Sequence, residues 1–196
     1  THKLLPWVVD QETEGIEIDE DRRQELIPYF REEIESVEEA FKKEVEVELE
    51  SWPDFNIRSP QQKSELLFGN PDTYEPPLMG KDGNPLPLTP LTDSGWPSTD
   101  KDYLKPIAHL HDAIPLLLRY NSYRTIKSTY LDSIPRLTNP LTNRLHAGIK
   151  LAATDTTRFA YEMPNWQNQP VRTKMSKRIR EFVIPDEVGW VIVSID

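Results

Sequence analysis

Between Thr157 and Arg172 the chain reads TRFAYEMPNWQNQPVR, with two Arg, two Asn, two Gln, two Pro and three aromatic residues. No apolar face of any period emerges, so neither a core strand nor an amphipathic helix accounts for this composition. What the stretch supplies is a row of hydrogen-bond donors: the guanidinium groups of Arg158 and Arg172 and the amides of Asn165, Gln167 and Asn168. Pro164 and Pro170 restrict the backbone beside those amides, so little freedom is lost when they engage a ligand. Such a row suits an extended surface of acceptors. A polar surface loop is the plainer reading of the same residues.

A second chemical signal closes the chain. GWVIVSID, residues 189–196, is a near-continuous apolar run that ends in Asp196. It reads as a strand buried on both faces, and a carboxylate at the edge of such a strand is held rigidly enough to ligate a metal. Without context, an Asp at a strand end is a turn former. Arg124 and Lys127 are a third signal, because they lie off the apolar stripe of a predicted helix, where a phosphate could meet them.

The formal net charge is −10, but it is unevenly spread. Residues 1–100 carry 9 Lys and Arg against 24 Asp and Glu, whereas residues 101–180 carry 14 against 5. A basic segment inside an acidic chain is an electrostatic footprint for an anion, unless its cations fold against the acidic half and neutralise it. The absence of Cys removes disulfides and thiolate metal sites and favours an intracellular setting. No run approaches the roughly 18 apolar residues of a membrane span, and THKLLPWVVD is not patterned as a signal-peptide core. No membrane contact is expected.

Several elements must position these groups. Ile16 and Ile18 alternate about Glu17 as a short strand. Asp19 or Asp21 then caps a long helix whose stripe is Leu26, Phe30, Ile34, Val37 and Phe41, with Pro28 kinking it or delaying its start. Ser59 as N-cap and Pro60 in the first turn open a second helix. Gly69 to Asp100 holds seven Pro and four Gly in 32 residues, which excludes continuous helix or central strand and reads as a surface excursion. Two helical pieces follow, marked by Pro106 and Pro115, the second with Leu117, Tyr120, Tyr123, Ile126, Tyr130 and Ile134 on one side. TNPLTN is a turn by composition, and RLHAGIK then forms a strand. His109 and His111, two apart on a helix, point away from each other and do not read as a metal site.

YRTIKSTYLDSI, TNPLTNRLHAG, PNWQNQPVRTKMSKRIREFVIP and GWVIVSID, preceded by GIEID and NIRSPQQKSELLFG, occur in one order. That order and spacing resemble the family A DNA polymerases, the bacterial polymerase I group and its phage relatives. The resemblance runs from about Leu5 to Asp196, apart from the Pro-rich excursion, which looks longer than usual. It implies an α+β fold: residues 1–19 leading into the palm, and a thumb over residues 20–134 with long antiparallel helices and an insertion at 69–100. Residues 135–196 would then form the first strands of an incomplete antiparallel palm sheet, ending at the catalytic aspartate.

The resemblance also implies roles. Lys127, with Ser128 and Thr129, matches the thumb segment that contacts the DNA backbone. Arg158 falls where the family places an arginine in the minor groove at the primer terminus, and Asn165, Gln167 and Asn168 match amides lying along primer and template. Arg172 matches an arginine near the primer phosphates, and Asp196 the first catalytic, metal-binding aspartate. In the minor groove every base pair offers a purine N3 or pyrimidine O2 acceptor, so such donors bind there without reading sequence. Thr157, Ala160, Tyr161, Trp166, Gln169 and Arg58 depart from the family's usual residues, which places the finer template contacts in doubt.

The implied partners are primer-template DNA and, in the completed enzyme, a dNTP and two Mg²⁺ ions clamped between two aspartates. This chain supplies one aspartate and no fingers, so DNA-directed DNA polymerase activity is expected only with the rest of the palm. That remainder comes from a second polypeptide or from a longer chain. The implied setting is the cytoplasm of a bacterium or of a phage-infected cell. Two alternatives belong to other classes: a non-catalytic duplex-DNA-binding module, and an acidic protein–protein adaptor using the Pro-rich excursion.

Overall fold

The computed structural model describes residues 4–70, 77–151, 159–163, 165, 173–187 and 189–192. Its long helix, α2 (Glu20–Glu44), begins because Asp19 caps it: the Asp19 carboxylate accepts the Arg22 N–H at 2.8 Å. Asp21 lies inside the first turn, where its charge faces the positive end of the helix dipole. The helix starts ahead of Pro28 and runs through it as one element of 25 residues, about 38 Å. Its stripe is legible in the burial of Leu26, Phe30, Val37 and Phe41.

The chain divides into two compact units, residues 1–31 with 123–196, and residues 32–122, so the division falls inside α2 and inside α6 (Ala113–Ile126). The first unit opens with α1 (Leu5–Glu14) and β1 (Ile16–Glu17). After α6 come a π-helical segment (Lys127–Asp132), α7 (Ile134–Leu137), and the strands β2 (Thr138–Asn139), β3 (Arg144–Leu145), β4 (Gly148–Lys150) and β5 (Ala160–Glu162). The short α8 (Lys174–Lys177) and a 3₁₀ turn (Arg178–Phe182) follow. One antiparallel sheet has the order β1-β3-β2, with Ile16 opposite Leu145 and Asn139 opposite Arg144; a second pairs β4 with β5.

The core of this unit gathers Ile18, Leu26, Phe30, Ile126, Tyr130, Leu131, Ile134, Leu145, Met175, Ile179 and Phe182. Each fully buried Leu, Ile or Phe of this kind contributes roughly 1.5–3 kcal/mol. Gly15 joins α1 to β1 at φ 66°, and a Cβ there would stand 2.7 Å from His146 Nδ1 and 2.8 Å from the Leu145 carbonyl. Only glycine fits that turn.

Two expectations change here. RLHAGIK is not one strand: it is β3 and β4 in separate sheets. His146 and Ile149 turn to α1 instead, His146 Nδ1 lying 2.9 Å from the Glu12 carbonyl and the Ile149 N–H donating to the Glu12 carboxylate at 2.6 Å. The expected buried strand at GWVIVSID is absent over residues 189–192, where Trp190, Val191 and Ile192 are 60%, 77% and 62% exposed and no strand among the described residues pairs with them.

The second unit comprises the rest of α2 with α3 (Glu46–Glu50), α4 (Pro60–Phe68), α5 (Lys101–Ile107) and the start of α6. Ser59 caps α4 by accepting the Gln62 N–H, with Pro60 in the first turn as its sequence requires. Phe41 stacks on Phe55 with ring centroids 6.2 Å apart, and Ile57, Leu67, Leu104, Ile114, Leu117 and Tyr120 are buried around α4, α5 and α6.

The Pro-rich stretch forms no helix or ladder over residues 77–100, only bridges at Met79–Pro85 and Leu91–Pro97. It is nevertheless more than a surface excursion. Leu78 and Leu86 are buried, the Leu78 N–H donates to the Leu67 carbonyl, and the Thr89 hydroxyl donates to the Ser98 carbonyl at 2.7 Å. Packing against α4 gives the segment a core its composition alone does not show.

Candidate nucleic-acid interface

Beyond Ile126 the helix widens to i→i+5 bonding over Lys127–Asp132, and Tyr130 and its neighbour Leu131 both face the core between Ile126 and Ile134. Hydroxyls reinforce the change: Ser128 Oγ donates to the Thr125 carbonyl at 3.2 Å and Ser133 Oγ to the Thr129 carbonyl. The wide turn has a chemical consequence. Residues five apart point roughly 140° away from each other in an α-helix, yet here Lys127 Nζ lies 2.8 and 2.9 Å from the two carboxylate oxygens of Asp132. Ser128 and Thr129 stand exposed beside that pair.

In sequence, β5 lies within the donor-rich stretch and α8 follows it. Ala160 and Tyr161 form β5 against Lys150 and Ile149, and Lys150 closes an ion pair on Glu162. Phe159 packs on Trp7 of α1, ring centroids 5.8 Å apart. Asn165 is exposed. Arg158, Gln167, Asn168, Arg172 and Asp196 lie outside the described residues.

Immediately after Arg172 in sequence, Thr173 starts α8 through a capping box: its hydroxyl accepts the Ser176 N–H at 3.0 Å while Ser176 Oγ accepts the Thr173 N–H at 3.0 Å. Met175, Ile179 and Phe182 then enter the core that also holds Ile126, Tyr130 and Leu131. One hydrophobic cluster therefore anchors both the Lys127 segment and the segment following Arg172.

Electrostatics bear on the neutralisation reading. Among the described residues, one ion pair joins a cation of residues 101–180 to a carboxylate of residues 1–100, Arg144 with Glu17 at 3.4 Å. Arg144 also holds the Glu14 and Gly15 carbonyls and Asp186 (2.9 Å), which makes it a structural hub. Arg178 lies 4.0 Å above the Tyr29 ring and bonds Glu181 at 3.2 Å. Among the described residues the basic segment is thus not folded charge by charge onto the acidic one.

The described residues contain no group of three or more His, Cys, Asp or Glu able to hold a metal. His109 and His111 sit in the turn after α5 and not on a helix, and His111 Nδ1 accepts the Ala113 N–H at 3.0 Å to open α6. Sequence reasoning missed Asp132, because i,i+5 partners are invisible under an α-helical period. It missed Trp7 as the support of Phe159, for which no local signal exists.

A sequence model of DNA polymerase family A matches residues 20–196. DNA polymerase I of Chloroflexus aurantiacus is 31% identical over 193 residues, 98% of this chain and 19% of that protein. The thermostable DNA polymerase I of Thermus aquaticus is 34% identical over 163 residues, 83% of this chain and 18% of that protein. The chain therefore spans about a fifth of the length of these relatives. The POL domain of Pol1 from M. smegmatis, solved in complex with DNA primer-template and dNTP, shares the fold at a TM-score of 0.68 and 24% identity, covering 90% of this chain and 28% of that one. Among the described residues no helix is long and apolar enough to cross a membrane. With a family match that takes in both the Lys127 segment and the donor-rich stretch, the chain belongs to DNA polymerase family A.

Proposed function

We propose that this chain supplies the primer-template grip and one catalytic carboxylate for template-directed DNA synthesis, in a bacterial or phage-infected cytoplasm. In this reading residues 20–134 are the thumb and residues 135–196 the first part of the palm, with residues 1–19 leading into it. Lys127, Ser128 and Thr129 meet the DNA backbone, and Arg158, Asn165, Gln167 and Asn168 donate into the minor groove. Arg172 meets primer phosphates. Asp196 contributes a carboxylate to the Mg²⁺ site that the fingers and remaining palm complete, whether these come from a second polypeptide or from the same longer chain. When bound, the ions would activate the primer hydroxyl and stabilise the leaving pyrophosphate oxygen; this chain's own part is to hold the duplex in register.

The observation that carries the proposal is the shared core. Tyr130 and Leu131 beneath the Lys127 segment, and Met175 and Ile179 just after Arg172, are buried in one cluster. Segments anchored in one hydrophobic cluster keep a fixed spacing, as gripping a duplex requires. The adaptor alternative needs the basic segment neutralised by the acidic one, and the ion pairs among the described residues do not supply that. Duplex binding by the chain should be measured over a salt series, followed by primer extension after mixing with a matching C-terminal half. Salt-sensitive binding with extension only on mixing is expected; no binding at low salt would overturn the proposal.

A further inference from the structure

Arg23 is 2% exposed, an unusual burial for a cation, and all its side-chain nitrogens are engaged. Nε and Nη2 form a fork on the Glu20 carboxylate at 2.6 and 2.5 Å, and Nη1 donates to the backbone carbonyl of Leu131. The need for that last bond can be read from the chain. In α-helical register the Leu131 carbonyl would accept from residue 135, but Pro135 has no N–H. The next amide along, that of Arg136, donates to the Ser133 carbonyl. Leu131 is fully buried, and an unpaired carbonyl there costs on the order of a lost hydrogen bond. The guanidinium fills the gap that proline leaves.

We propose that Arg23 is the positioning residue for the candidate DNA-backbone contact: it fixes the Leu131 carbonyl, and with it the π-helical turn that presents Lys127, Ser128 and Thr129. This rests on the DNA-binding reading given above. Glu20 orients the fork, so the carboxylate serves the same end. Lysine is no substitute, because a point charge cannot bridge a carboxylate and a carbonyl with fixed geometry.

The test measures duplex binding by the full chain over a salt series, with thermal melts to confirm folding. Arg23→Met is expected to weaken binding about fivefold and to reduce the salt slope by about 0.9, one phosphate. In a Lys127→Ala background it should cause no further loss. Adding Pro135→Ala, which returns an amide to Leu131, should restore binding to that of Pro135→Ala alone. A merely structural role would instead lower binding additively with Lys127→Ala and would not be rescued. Should Arg23→Met fail to fold, Arg23→Lys, which keeps the charge but loses the fork, carries the same comparisons. Unchanged affinity and slope in a folded Arg23 variant, or additive loss without rescue, overturns the inference alone. A wild-type chain that ignores DNA at low salt overturns the DNA-binding reading and this inference with it.

Discussion

The ammonium of Lys127 is held between both carboxylate oxygens of Asp132, at 2.8 and 2.9 Å, across a π-helical turn. A phosphate approaching this lysine must therefore compete with a carboxylate already in place. The Lys127 side chain is 20% exposed and that of Asp132 45%, so the pair itself is worth about 0–1 kcal/mol.

Two opposite outcomes follow from that competition. Asp132→Asn is expected to tighten duplex binding by roughly two- to fivefold, as a surface pair of this strength allows. Lys127→Ala is expected to weaken binding equally on all sequences and lower the salt slope by about 1. Fluorescence anisotropy on two unrelated duplexes at several salt concentrations checks both. Weaker binding by Asp132→Asn would mean that the carboxylate orients the lysine for phosphate.

How far the site was legible follows from the same turn. Ser59, Pro60 and Asp19 announced helix starts because capping is local chemistry, and the α2 stripe was visible because its period is regular. The π turn was not visible, since an α-helical period carries no signal for i→i+5 bonding. RLHAGIK was read as one strand because nothing within it reveals that Glu12, 137 residues before Ile149, binds that amide. Leu78 and Leu86 were assigned to a surface excursion because proline content reports backbone geometry and not where a side chain packs.

In the completed polymerase, Arg158→Ala should cut primer extension sharply while the fold persists. Loss of one hydrogen-bonded charged contact in a water-poor groove corresponds to about 1.5–3 kcal/mol, or roughly ten- to a hundredfold. Asp196→Ala should abolish incorporation and leave duplex binding as it was. Steady-state extension beside an anisotropy titration separates the two effects. Full extension by the Asp196 variant would remove its metal-binding role.

Acid should loosen the Arg23 anchor in a predictable direction. The fork from Arg23, then the bond from Gln24, holds the Glu20 carboxyl below its ordinary value of 4.5, against an opposing effect of partial burial. A lowered folded pKa adds stability in full above the unfolded value and loses it as pH falls through the folded one. Wild type should therefore exceed Glu20→Gln in urea midpoint at pH 6–7, and the gap should close below pH 4.5. With its side chain 47% exposed, Glu20 contributes less than about 1 kcal/mol. A gap that widens in acid would contradict the assignment.

Tyr120 offers a prediction of the opposite sign, a substitution that should help. Its ring is fully buried in the core of residues 32–122, yet among the described residues its hydroxyl has no hydrogen-bond partner. A buried unpaired hydroxyl carries its desolvation cost without compensation, on the order of 1–3 kcal/mol. Tyr120→Phe removes the oxygen, keeps the ring and creates only a small void, so a net gain of about 1 kcal/mol is expected. For a chain of this length that raises Tm by roughly 2–4 °C. Leu117→Ala, one turn earlier on α6 and equally buried, removes packing with no compensating polar relief and should cost about 2–5 kcal/mol. Calorimetry on the pair separates the two physical effects: a Tyr120→Phe variant that melts below wild type would show that the hydroxyl is satisfied in solution, as by a buried water.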